Sequence, residues 1–305
     1  MRVTLLGPQR RPTVDAVMRS LRPGGPVATI TAGWRDGEAG DDELGRLLGF
    51  RSVNLRLYRR WLDVQERDRD FAAAERRLRG VIEEVQEIYL LRLDYALRAL
   101  YAVQRRSGED WLRAAALAEA IGAVRELDAA HLRRVSDIRG EFYQAWPPHD
   151  RPVIAGHRAE VSQVLGETAA LVVAGGHVGV LADVLHLFNV AAALRSPVIA
   201  WSAGAMALTD RIVLFHDRAP QGPGHPEVYG SGLSVLRNLV LLPHARARML
   251  LDDAPRMAIF ARRFAPARCI LLENGTRVDT DGDGSCPPDT RVLAEDGRVT
   301  SLEAA

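Results

Sequence analysis

Residues 197–206 read Pro-Val-Ile-Ala-Trp-Ser-Ala-Gly-Ala-Met, an apolar run that passes directly into a serine among small neighbours. A nucleophilic serine needs this pattern. Its hydroxyl is presented on a sharp strand-to-helix turn in a strained conformation, which large adjacent side chains would obstruct. Ser202 is therefore the candidate nucleophile. Ala200 stands where the Gly-x-Ser-x-Gly consensus has its first glycine, the smallest departure available. The helix that follows would aim N–H groups and partial positive charge at a forming oxyanion. The same residues also describe a buried strand followed by a serine-capped helix, so the surrounding residues have to discriminate.

Gly175-Gly176-His177 closes the apolar run that precedes the serine's own. In a parallel sheet both loops emerge at one carboxyl edge. Two glycines let backbone amides come close to a substrate oxygen, so the N–H groups of Gly176 and Ala203 form the expected oxyanion hole. Gly175 and His177 are expected in the substrate pocket with Trp201, an aromatic that equally suits the core. A dinucleotide loop fits less well: Gly-Gly-x-x-Gly is not Gly-x-Gly-x-x-Gly, and Arg195 stands where that motif wants an acid.

The hydroxyl also needs a base. Of eight histidines, His244 follows the apolar residues 239–242 and Pro243, which places it just past a strand end, where a base can reach the serine. Asp217, just after the run 211–215, is the candidate orienting acid, with Asp210, Glu227 and the adjacent His216 as rivals. Residues 279–284 copy the first half of a calcium loop, but Thr290 occupies the position of its bidentate glutamate, so a polar turn and no metal is expected. The spacing of His216, His225 and His244 matches no compact zinc motif.

These residues require a scaffold. Short apolar runs at 2–6, 26–31 and 52–57 alternate with helical patterns, the signature of an α/β fold with a parallel sheet covered on both faces. The strand pattern stops at residue 59 and resumes after 148. Val81, Val85, Ile88 and Tyr95 fall near helical spacing in between, which predicts long helices inserted into the domain. Residues 1–58 and 149–305 are thus expected to form the α/β domain, with 59–148 a helical lid or oligomerisation arm that packs against its copy in a homodimer. Beyond residue 269, turns such as Asn274-Gly275 and Asp296-Gly297 between β-branched runs predict antiparallel hairpins.

The 305 residues are 47% hydrophobic, with 40 basic and 39 acidic side chains and a formal net charge of +1. That balance gives no bulk attraction to a polyanion, so no nucleic-acid partner is expected. All forty basic residues are arginine. Lysine Schiff bases, Ser-Lys dyads and phosphate-loop lysines are thereby excluded. Two cysteines cannot build a disulfide framework or a four-thiolate zinc site. No run has the length of a membrane span or a signal-peptide core, which predicts a cytoplasmic protein.

Taken together, Gly175-Gly176, the Ala-Trp-Ser-Ala-Gly-Ala of residues 200–205, Asp217, Gly232-Leu233 and Pro243-His244 resemble the serine peptidases of the peptidase E and cyanophycinase group. That group belongs to the class I glutamine amidotransferase-like superfamily. The resemblance covers residues 2–57 loosely and 152–244 more closely. It implies a flavodoxin-like three-layer sheet and a triad of Ser202 as nucleophile, His244 as base and Asp217 as third member. A peptide or small amide substrate and no cofactor are implied with it. His177 departs from the asparagine usual in that loop, and the helical insertion exceeds the group's usual connection. These departures motivate an alternative, a non-catalytic protein of the same fold that binds a ligand or serves in assembly.

Overall fold

The computed structural model describes residues 1–10, 12–49, 51–217 and 224–304. The chain opens with β1 (Arg2–Leu6), α1 (Val14–Leu21), β2 (Val27–Ile30), α2 (Asp42–Leu47), β3 (Ser52–Asn54) and α3 (Leu57–Arg67). Two helices of 37 and 36 residues follow, α4 (Arg69–Arg105) and α5 (Asp110–Ala145). The α/β alternation then returns with α6 (Pro152–Glu167), β4 (Ala170–Val173), α7 (Val178–Leu187), α8 (Val190–Ala193), β5 (Val198–Trp201) and α9 (Ala203–Met206). The remainder comprises β6 (Ile212–Leu214), β7 (Glu227–Gly230), β8 (Leu239–Pro243), α10 (Ala245–Arg248), α11 (Ala254–Phe264), β9 (Arg268–Leu272), β10 (Arg277–Asp281), β11 (Arg291–Leu293) and β12 (Val299–Ser301).

The main sheet has the order β10-β1-β5-β4-β2-β3, parallel except for β10, which runs antiparallel to β1 at the edge. The run β3-β2-β4-β5 follows the 2-1-3-4 portion of the flavodoxin order, but the next place is taken by the first strand of the chain. Successive side chains of a strand point to opposite faces, and the burial divides accordingly. Ala170, Val172 and Ile199 pack with Val14, Val17 and Leu44 under α1 and α2. Leu171, Val173 and Val198 pack on the other face with Val64, Ile154 and Leu181 from α3, α6 and α7. Buried on both faces, these strands carry the continuous apolar runs seen in the sequence.

The C-terminal part corrects the expectation of hairpins. Among the described residues beyond 269, only β11 and β12, joined across Asp296-Gly297, form one. Asn274-Gly275 does make a turn, but β10 beyond it leaves β9 and pairs with β1. β8 and β9 are parallel neighbours in a separate four-stranded sheet, β12-β11-β9-β8. His244 therefore comes from this second sheet, not from the edge of the main one.

The long helices have definite ends. Asp68 caps α4 by accepting from the Phe71 N–H at 3.2 Å, and it also accepts from Arg151 Nε at 2.7 Å just before α6. That guanidinium holds the Asp68 carboxyl below its ordinary range. At the far end of α5, Pro147 and Pro148 cannot continue a helix. Tyr89, Leu93, Leu97 and Leu100 form the buried stripe of α4, whereas Val81, Ile88 and Tyr95 lie exposed. The helical spacing noticed in the sequence was thus that of the solvent face.

A buried polar cluster fastens both helices to the body. Arg263 of α11 donates to both oxygens of Asp128 on α5 at 2.7 Å, to the Pro226 carbonyl at 2.7 Å and to the Tyr89 hydroxyl at 3.1 Å. The Tyr89 hydroxyl donates to Asp128 at 2.8 Å and accepts from the Val228 N–H of β7. Every charge here has a partner, as burial demands. Among the described residues, no helix is long and apolar enough to cross a membrane.

Candidate active site

β5 lies between β1 and β4, and all four of its residues are buried. It ends on Ser202, whose φ of 50° and ψ of −126° put a non-glycine residue in sparsely populated backbone space. Such a conformation costs on the order of 1–3 kcal/mol and persists only where packing over-determines it. Small residues supply that packing. A Cβ on Gly204 would lie 2.5 Å from the Val173 and Ala174 carbonyl oxygens, and one on Gly175 would lie 2.9 Å from the Ser202 Cβ. The start of α9 is therefore pressed against the end of β4.

Gly176 takes φ of +125°, and a Cβ there would fall 2.4 Å from the Gly33 carbonyl. The loop after β2 thus clamps the loop after β4, and the His177 N–H donates to the Gly33 carbonyl at 2.8 Å. Gly33 was missed in the sequence; its only signal there was a glycine just past an apolar run. Among the described residues, neither the Gly176 nor the Ala203 N–H is spent on a backbone or side-chain acceptor. Gly176 lies in the loop after β4, and Ala203 is the first residue of α9.

Ser202, His244, His216, Gly175, Gly176, His177, Trp201 and Ala203 line one open cavity of about 1000 Å³. His177 also caps α7, its Nδ1 accepting from the Val180 N–H at 3.2 Å. Trp201 is 93% buried among the α1 and α2 side chains and also lines the cavity. Arg10, Trp34, Glu43, Tyr229 and Arg248 complete the polar and aromatic wall and were not read from the sequence.

His244 sits in the left-handed region, φ 59° and ψ 32°, where β8 turns into α10. Burial and the nearby guanidinium groups of Arg248 and Arg10 draw its imidazole below the ordinary histidine range, against an opposing pull from Glu273. His216, more exposed, is drawn down by burial and Arg248. Among the described residues, no hydrogen bond joins Ser202 to either ring.

Asp217, the expected orienting acid, is engaged elsewhere. Its carboxylate is buried and accepts from Arg256 Nη2 at 2.6 Å and from the Leu250 N–H at 3.2 Å, and among the described residues no hydrogen bond joins it to a histidine. Its two oxygens thus face a guanidinium and a backbone amide rather than an imidazole. Asp210 and Glu227 do not line the cavity, and burial pushes Glu227 above the ordinary range. The carboxylate whose charge is felt at His244 is that of Glu273. β8 and β9 run parallel with Pro243 opposite Leu272, and the His244 N–H donates to the Leu272 carbonyl at 3.1 Å. Glu273 is therefore the next residue beyond that register, and its Oε1 accepts from the Arg246 N–H at 2.8 Å. Its signal was legible, a polar residue closing an apolar run, but the pairing of its strand with β8 was not.

In residues 279–284, Asp279 accepts from the Thr4 hydroxyl of β1 at 2.6 Å and Asp283 from the Ser285 N–H at 2.9 Å. Among the described residues no three His, Cys, Asp or Glu side chains converge at metal-binding distances. His225 lies apart, paired with Asp94 at 3.3 Å. Cys269 and Cys286 are unbonded thiols.

No known family's sequence profile matches this chain, and no curated protein matches it. Among solved structures, it is similar to a peptidase from an acI-B1 Actinobacterium, with 13% identity and a TM-score of 0.43 over 96% of this chain and 87% of that one.

Proposed function

We propose that this protein is a serine hydrolase of the peptidase E and cyanophycinase type, cleaving a peptide or small amide bond. The observation that carries the reading is Ser202, held in a strained bend on the wall of a cavity of about 1000 Å³ that Gly176, Ala203 and the half-buried His244 also line. That volume is in the range of small-ligand sites. Ser202 Oγ attacks the substrate carbonyl carbon while His244 accepts its proton. The tetrahedral oxyanion accepts hydrogen bonds from the Gly176 and Ala203 amides, each such donor being worth roughly 100- to 1000-fold in rate. Collapse expels the amine, which takes the proton from His244, and water then releases the acyl group from Ser202 by the same steps. A base must be neutral to act, and the lowered proton affinity of His244 keeps it so near neutral pH. Glu273 replaces Asp217 as the orienting acid in this scheme.

A fluorophosphonate tests the reading, because it phosphonylates activated serine hydroxyls and leaves ordinary ones untouched. Labelling of the wild type, lost in Ser202→Ala, is expected; a wild type inert to the reagent sinks the proposal. One observation favours a second reading, a ligand-binding protein without turnover: Ser202 makes no hydrogen bond to His244 or His216 among the described residues. Catalytic hydrogen bonds often tighten only when substrate is bound, so the hydrolase reading is preferred.

A further inference from the structure

We propose that the solvent face of α4 is a homodimer interface, pairing antiparallel with a second copy of itself across a two-fold axis at Ile88. Eight large hydrophobic side chains stand exposed among the described residues, and six of them lie on α4 or the first turn of α5. Val81, Ile88 and Tyr95 are 47%, 53% and 66% exposed and recur every seven residues. At 3.6 residues per turn this spacing draws a line nearly parallel to the helix axis, opposite the buried stripe of Tyr89 and Leu93. Leu91, 60% exposed, widens it. A clustered apolar stripe on a helix already packed to the body by its other face is not needed for folding, and it has the period of a helix that packs on another helix.

The charges beside the stripe select the occupant. Glu84 and Arg92 stand four residues on either side of Ile88; both are exposed, and neither forms an ion pair among the described residues. Val81 and Tyr95 stand seven residues on either side. An antiparallel pair centred on Ile88 brings each Glu84 to the partner's Arg92 and each Val81 to the partner's Tyr95, with Ile88 against the partner's Ile88. A two-fold axis requires such self-complementarity, in which one residue meets a second and the second meets the first. Parallel pairing in register would instead oppose glutamate to glutamate and arginine to arginine, which is repulsive. The stripe therefore matches a second copy of this chain in both shape and sign.

Analytical ultracentrifugation of the full chain tests the pairing. The wild type is expected to sediment with the mass of two chains at about 10–100 µM. Arg92→Glu is expected to weaken the dimer at least roughly tenfold, and Glu84→Arg combined with Arg92→Glu to restore it. Circular dichroism confirms that these exposed changes leave the fold intact. Under mild oxidation Ile88→Cys should cross-link to itself across the axis, whereas Val81→Cys should cross-link only when mixed with Tyr95→Cys. A wild type that stays monomeric at about 100 µM, a dimer indifferent to Arg92→Glu, or a double variant that remains monomeric would each overturn the proposal.

Discussion

Gly175 and Ser202 stand back to back at the ends of neighbouring parallel strands, so close that a Cβ on the glycine would lie 2.9 Å from the Cβ of the serine. Real Cβ atoms do not approach that closely, so the bend holding Ser202 depends on residue 175 having no side chain. Gly175→Ala should therefore displace the nucleophile. Displacements of this kind cost up to about 100-fold in rate, and the overpacking costs about 1–3 kcal/mol of stability. The expected outcome is a folded variant with a slightly lower melting temperature and at least roughly tenfold slower fluorophosphonate labelling. Unaltered labelling would show that the serine's position does not matter.

Glu273 and Asp217 are expected to separate in their effects. Asp217→Asn leaves the Arg256 guanidinium with a weakened partner and should lower stability by about 3 kcal/mol, the cost typical of breaking a buried pair. Where the variant is folded, its labelling rate should match the wild type. Glu273→Gln should do the reverse, slowing labelling while shifting the chemical-denaturation midpoint little. Equal losses of reactivity in the two variants would restore Asp217 to the triad.

The pH dependence of labelling follows from the surroundings of His244. Only the neutral imidazole accepts a proton, so the rate should rise with pH and level off. Burial and the arginines favour the neutral form, so the midpoint should lie below the ordinary histidine value of 6.5. Removing a neighbouring positive charge favours the protonated ring, so Arg248→Ala should move the midpoint upward. A midpoint above 6.5 in the wild type would contradict this assignment of the base.

The Arg263–Asp128–Tyr89 cluster is expected to set how firmly α5 is held. Asp128→Ala strands a buried guanidinium and should cost about 3–5 kcal/mol. Replacing both partners, Asp128→Leu with Arg263→Met, should cost markedly less than the two single losses added together, because no unpaired charge remains. Equilibrium unfolding in urea provides the comparison, and additive losses would argue against a coupled cluster.

The sequence made the bend at Ser202 and the glycine pair at 175–176 legible because each is a local signature: an apolar run ending on residues that tolerate unusual backbone angles. The alternation of strands and helices showed an α/β fold for the same reason. The acid beside His244 was not legible, because it depends on which strands adjoin. β8 and β9 pair in parallel through the intervening α10 and α11, and no local pattern around Glu273 reveals that neighbour. Asp217 follows a strand in the sequence, yet its surroundings include Arg256, 39 residues further on. β7 escaped notice because its four residues include two polar or glycine positions, and β6 supplies the partner that stabilises it. On α4 the helical periodicity is visible in Val81, Ile88 and Tyr95, but these residues belong to the exposed face.

The most direct measurement is mass-spectrometric mapping of the site that a fluorophosphonate modifies in the native protein. A single stoichiometric adduct on the peptide containing Ser202, formed faster above the His244 midpoint than below it and absent from denatured protein, is the expected result. An adduct on any other residue, or unmodified Ser202 after prolonged exposure of folded protein across the neutral range, would contradict the hydrolase.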